Sequence, residues 1–290
     1  MGKPLDNPVT ATVRSLDAAL RSEPVVEFAR KKSPSPATDS FDGHPPTNGH
    51  DLGEVEFAAL RLSDLPQVKA PRDNTKPLVT ANEKYAKEAM EAYKSLRTRL
   101  LRSQVSQGFR SLAITSVGRS EGKTLTAFNL AYCCAQVENI TVLLIDGDLR
   151  NRSLTKLFGA FPTPGLADVM SGTASCEDAI VQTNVPNLYV MSAGKSDVPS
   201  AELFSNERWS QVVRWSRHHF KMVLVDALLM GAFADFELIA PECDGVLMVV
   251  RARNTSREAL KAAVEQLDPS KLVGIVWNGS DTENGGGLYA

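Results

Sequence analysis

Read for apolar and polar positions, the chain changes character near residue 80. Beyond that point short apolar runs alternate with stretches of helical period. The runs SLAITSV (111–117), TVLLID (141–146), LYVMSAG (188–194), MVLVDA (222–227), GVLMVVRA (245–252) and LVGIVWN (272–278) predict strands. Several are apolar at every position rather than at alternate ones, the pattern of strands covered by helices on both faces. Helices are predicted at 123–137, 200–217 and 255–267. Another follows from Ala86, Ala89, Met90, Tyr93, Leu96 and Leu100, which share one stripe of ANEKYAKEAMEAYKSLRTRLL. Strand–helix–strand alternation implies an α/β fold with a mostly parallel sheet flanked by helices and right-handed crossovers. Such a sheet binds ligands at the carboxyl ends of its strands.

The first 80 residues read differently. They hold ten of the sixteen prolines and include KKSPSPATDSFDGHPPTNGHD, which has few aliphatic residues and no sustained period. A segment of that composition buries too little apolar surface to offset the entropy of ordering it. The expected organisation is a disordered proline-rich arm over 1–80, one domain over 81–280, and a flexible glycine-rich tail over 281–290. Within the arm, VRSLDAALRS (13–22) and EVEFAALRLSDL (54–65) could form transient helices. The arm is either a linker or a docking segment for a partner.

Charge narrows the functional classes. Thirty-two basic and 34 acidic side chains give a net charge of −2, which argues against a nucleic-acid-coating role. No apolar run reaches the length of a membrane span, and MGKPLDNPVTATVRS lacks the apolar core of a secretory signal. Asp6 stands where an acylation signal requires Ser or Thr. The four cysteines (133, 134, 176 and 243) lack CxxC spacing and read as reduced, partly buried thiols of a cytosolic protein.

Three motifs close three of the strands. TSVGRSEGKT (115–124) follows a strand and opens a helix, the context of a phosphate-binding loop. Its amides from Gly118, Arg119, Ser120, Glu121, Gly122, Lys123 and Thr124 would cradle phosphates. Lys123 would reach the β- and γ-phosphates, and Thr124 would ligate Mg²⁺. Val117 stands where the full motif has its first glycine. In VLLIDGDLR (142–150), Asp146 and Asp148 stand two apart at a strand end, so both can face the cleft. Asp146 could accept a proton from an attacking hydroxyl, and Asp148 suits Mg²⁺. Asp226 closes MVLVDALL and would hold Mg²⁺ or its water. The paired His218 and His219 read as a helix-end charge, and Trp209 and Trp215 as packing.

Together with EAYKSLRTRL (91–100), GLADVMSG (165–172), VPSAELF (198–204) and GIVWN (274–278), these motifs resemble the bacterial protein-tyrosine kinases of capsule and exopolysaccharide synthesis, P-loop relatives of the MinD/ParA ATPases. The D-x-D-x-R signature of that family matches Asp146, Asp148 and Arg150. The resemblance implies ATP and Mg²⁺ as cofactors and Lys123, Asp146 and Asp148 as catalytic residues. It further implies that Thr124, Asp148 and Asp226 hold the metal and that Asn278 lies near the adenine. Glu91, Lys94 and Arg97 match the family's oligomerising helix, with lysine for its first arginine. Arg97, Arg99 and Arg102 could equally be an exposed helix face. The family's chains phosphorylate a C-terminal tyrosine cluster, whereas this tail has only Tyr289.

Other departures concern the turns. Arg119 and Ser120 replace a usual Pro-Gly, and Ala227-Leu228-Leu229 replaces a usual Thr-Pro-Pro. The lysine that begins the MinD/ParA loop is absent, with Gly118 near its place. Two readings therefore stand. One is an ATP-dependent tyrosine (auto)kinase regulating polysaccharide polymerisation and export. The other is a kinase-deficient, nucleotide-binding regulatory subunit of an export complex. Both imply a homo-oligomer in the cytoplasm, peripheral to the inner membrane through a membrane-embedded chain-length regulator.

Overall fold

The computed structural model describes residues 27–28, 60–72, 78–80, 84–159, 161 and 163–279. Its centre is one sheet. Six parallel strands form the middle: β3 (Ser111–Ser116), β4 (Val142–Asp146), β6 (Leu188–Met191), β7 (Met222–Asp226), β8 (Gly245–Arg251) and β9 (Leu272–Asn278). They lie in the order β9-β8-β3-β7-β4-β6. Beyond β6 come β5 (Ile180–Thr183), antiparallel to it, and β2 (Gln67–Val68), parallel to β5. β1 (Glu27–Phe28) runs antiparallel to β9 at the other edge. The expected parallel sheet flanked by helices is the observed architecture.

Period-2 geometry splits each central strand between two apolar layers. Leu143 and Ile145 of β4 join one layer with Trp209, Val213 and Phe236. Val142 and Leu144 join the other with Phe128, Leu96 and Leu100. Both sets are almost wholly buried, at about 1.5–3 kcal/mol for each large side chain. The second layer is roofed by α1 (Lys84–Gln107), α2 (Lys123–Ala135) and α3 (Ser153–Phe158). The first is roofed by α4 (Leu166–Ser171), α5 (Ser200–Ser205), α6 (Glu207–His219), α7 (Asp235–Ile239) and α8 (Arg257–Gln266).

Two expectations need correction. The helix predicted over 200–217 is broken at Asn206, whose backbone is extended and whose side chain accepts from the Arg208 amide at 3.1 Å, capping α6. The domain also begins earlier than residue 81. Leu60, Leu62 and Leu65 pack on the first apolar layer, and Leu78 is fully buried in the second. β2 joins the sheet through the Gln182 amide to Pro66 O and the Asn184 amide to Val68 O. The Val79 amide donates to the buried Asn129 Oδ1 of α2 at 3.1 Å. Residues 62–64 form a single 3₁₀ turn, not an α-helix. The other short arm helix (13–22), most of the proline-rich stretch and the 281–290 tail lie outside the described residues.

Candidate active site

Register assembles the site. Asp146 of β4 is the cross-strand partner of Asp226 of β7, and Ile114 of β3 is the partner of that same Asp226. The phosphate-type loop 117–122 leaves β3 and enters α2 at Gly122. The three motifs therefore leave the carboxyl ends of three neighbouring strands, the place where an open α/β sheet receives ligands.

Lys123, at the first turn of α2, pairs with Asp226: Nζ to Oδ1 is 2.6 Å, with the side chains 11% and 0% exposed. Asp226 Oδ2 is buried and has no hydrogen-bond partner among the described residues. Burial raises the Asp226 carboxyl above the usual carboxylate range. The Lys123 charge and hydrogen bond and the Thr124 hydroxyl oppose that rise without cancelling it. Asp146 is also fully buried, and its Oδ2 accepts from the Thr155 amide at 2.7 Å and hydroxyl at 2.6 Å. Burial, then the Asp226 charge, raises its carboxyl, and the Thr155 bonds only partly offset them. Two acids on paired strands thus repel one another's ionisation. Asp148 is 4% exposed and accepts from the Asn151 amide at 2.9 Å.

The loop is stapled from outside. Gly122 has φ +90°, and a Cβ there would lie 1.9 Å from Asn278 Nδ2. That amide donates to Glu121 O at 2.8 Å, so Asn278 rests on the phosphate loop. The Glu121 carboxylate is buried; it accepts from the Val117 amide at 2.9 Å and from the Thr255 hydroxyl. Arg251 Nη1 donates to Ser120 O at 3.1 Å. Ser120 has φ +59°, a conformation costly for any residue but glycine. That explains the glycine usual there in the family the sequence resembles. The proline-free turn after Asp226 is fixed instead by hydrogen bonds. Thr115 Oγ1 donates to Leu228 O at 2.6 Å, and the Met230 amide to Ser116 O at 3.0 Å.

Sequence reasoning missed Thr155, Thr255, Arg251 and Asp235. Asp235 is fully buried and binds Arg150 with both oxygens, at 3.0 and 3.1 Å. Thr155 lies nine residues past Asp146, whereas Arg251, Thr255 and Asp235 meet their partners across 131, 134 and 85 residues. The helix residues singled out for assembly lie elsewhere. Lys94 pairs with Glu91 at 2.7 Å on an exposed face, and Arg97 Nη1 donates to Cys133 O at 3.1 Å within its own chain. The histidines fall in the last turn of α6, with His219 Nδ1 2.9 Å from Trp215 O. Trp209 and Trp215 are buried as packing. Three of the cysteines are buried and the fourth is half-buried; burial pushes the Cys133 thiol up to about 11 and those of Cys176 and Cys243 up to about 12. Tyr289 lies outside the described residues.

No protein-family model matches the chain. Among individual proteins it is similar to the tyrosine-protein kinase CpsD of Streptococcus agalactiae, 33% identical over 204 residues, covering 69% of this chain and 88% of the streptococcal one. It is likewise 33% identical over 191 residues to the tyrosine-protein kinase YwqD of Bacillus subtilis, covering 65% and 80% of the two chains. Among solved structures, the kinase domain of the Escherichia coli tyrosine kinase ETK superposes with a TM-score of 0.63 at 25% identity, over 69% of this chain and 79% of that one.

Proposed function

The chain belongs to the bacterial protein-tyrosine kinases of capsule and exopolysaccharide synthesis, and from that premise we propose that it transfers the γ-phosphoryl group of ATP to a tyrosyl hydroxyl. The observation that carries this is register: the GKT loop, Asp226 and Asp146 leave three adjacent strands side by side. The tyrosyl oxygen attacks the γ-phosphorus. The bond from that phosphorus to the β,γ-bridging oxygen breaks, and ADP leaves with the electron pair. The phenolic proton passes to the Asp146 carboxylate, which its surroundings make a stronger base than an ordinary aspartate. Lys123 exchanges Asp226 for the phosphates and neutralises their charge. The loop amides of Gly118, Arg119, Ser120, Glu121 and Gly122 bind the phosphates, and Asn278 approaches the base from its seat on the loop.

The donor set fits Mg²⁺. Asp226 Oδ2 is a buried hard oxygen without a partner among the described residues, with the Thr124 hydroxyl close enough to act on Asp226 and the Asp148 carboxylate two residues past Asp146. Among the described residues no three His, Cys, Asp or Glu side chains converge to hold a metal unaided. That suits an ion held by one or two carboxylates and completed by substrate phosphates. When bound, it would neutralise charge developing on the phosphoryl oxygens.

Incubating the full chain with Mg·ATP and blotting for phosphotyrosine tests the reading. Signal is expected on Tyr289 or a partner chain, lost in Asp146→Asn and in Lys123→Ala. ATP binding with no phosphotyrosine, even with a membrane partner present, would leave the regulatory-subunit reading in its place. No helix among the described residues is long and apolar enough to cross a membrane. A cytoplasmic protein held at the inner membrane by a membrane-embedded chain-length regulator accords with that. The exposed Glu91–Lys94 face, with Arg97 beside it, supports assembly of copies through α1. Sedimentation as a monomer with and without nucleotide would remove that part of the proposal.

A further inference from the structure

The loop that follows Asp226 carries an aromatic side chain that the phosphoryl-transfer machinery does not use. Phe233 is 37% exposed, one of three large apolar side chains so exposed among the described residues. It lies in the loop that leaves β7 after Asp226 and ends at α7. Arg150, four residues past Asp146, places its guanidinium carbon 4.4 Å from the centre of the Phe233 ring. Arg150 is not free to swing toward a phosphate: Nε and Nη2 are both held by the buried Asp235, the first residue of α7. The fork geometry fixes the guanidinium plane as well as its position. The result is a flat, half-exposed cation–aromatic pair. It is built from the two loops that follow Asp146 and Asp226, themselves cross-strand partners.

We propose that Phe233 and Arg150 form a ledge on which the ring of the acceptor tyrosine packs, with Asp235 as the positioning residue that holds the ledge flat. The proposal rests on the kinase reading. An aromatic ring is attracted to a guanidinium face and to another ring at offset or edge-to-face contact. Packing there lays a tyrosyl side chain across the strand ends that carry Asp146 and Asp226. The ledge recognises the acceptor and leaves the nucleotide alone, so its loss weakens peptide binding without touching ATP.

The test uses the full chain, Mg·ATP and a synthetic tyrosyl peptide. Phe233→Leu, which keeps apolar bulk but removes the ring, is expected to raise the KM for peptide by up to about tenfold. The KM for ATP and kcat should change less than about twofold. Phe233→Tyr should restore the native KM. Asp235→Asn, which frees Arg150, should raise the peptide KM in the same way. A peptide KM that is unchanged in Phe233→Leu, or a loss confined to kcat, overturns the ledge while the kinase reading stands. No transfer to any tyrosine by the native chain overturns both.

Discussion

Removing the lysine of the buried Lys123–Asp226 pair is the sharpest probe of the site's electrostatics. In Lys123→Met the fully buried Asp226 loses its cation and keeps an Oδ2 that already has no hydrogen-bond partner among the described residues. Breaking a buried pair from one side costs about 3–5 kcal/mol, because the surviving charge is uncompensated. A proton can relieve that charge. Asp226 titrates above the usual carboxylate range even with Lys123 beside it, and without Lys123 its carboxyl rises further. Unfolded, it titrates as an ordinary aspartate. Folding then takes up a proton, so stability falls as pH rises between the unfolded and folded pKa, by up to about 1.4 kcal/mol per pH unit. The native chain shows this slope over a narrower pH window, and the variant carries it to higher pH. Urea denaturation of both at pH 5.5 and pH 8 should show a larger deficit at the higher pH. The double variant Lys123→Met/Asp226→Asn should recover at least half of it. A deficit below about 1 kcal/mol, the range of exposed pairs, or one that ignores pH, refutes the buried pair.

Ser120→Gly relieves the +59° backbone angle and should raise the urea-derived stability by up to about 1 kcal/mol without weakening nucleotide binding. Asp244 accepts from the Arg110 and Ser111 amides at 2.8 and 2.9 Å, from the Ser111 hydroxyl at 3.0 Å, and from Arg217. Burial works against its ionisation, but those bonds and the Arg217 charge hold its carboxyl below the usual range. Its contribution is present above the ordinary carboxylate pKa and disappears as pH falls through the depressed one. Asp244→Asn should therefore cost most near neutrality and least in acid, in urea titrations across that window. Asn129→Ala leaves the Val79 amide without its acceptor, at about 1–3 kcal/mol, and should speed hydrogen exchange at Val79.

The central strands were legible because several are apolar on both faces, and Asp146 and Asp226 were legible because they interrupt two of those runs. Short helices and the edge strand, such as α3, α4, α7 and β5, were not, since a single turn shows no helical period and β5 lacks the unbroken apolar run that marked β4 and β7. Asn206 hid a helix break inside one amphipathic pattern. Leu60 and Leu78 were too sparse among polar and proline residues to announce a core segment, yet both pack on the domain. Within the candidate site, sequence marked Lys123, Asp146, Asp148 and Asp226 because they stand at strand and loop ends. It did not mark those that hold them: Asp235 and Thr255 are brought there by topology, and Thr155, nine residues past Asp146, stands in a short helix with no motif to announce it.

The loop's seating on Asn278 has a bearing on biosynthesis. Glu121 and Asn278 are separated by 157 residues, and Thr255 stands 134 beyond Glu121. A ribosome therefore finishes the glycine–lysine turn long before the side chains that set its shape have been made. A chain truncated before the strand that carries Asn278 would hold every signature of the phosphate loop and still lack the clasp that shapes it.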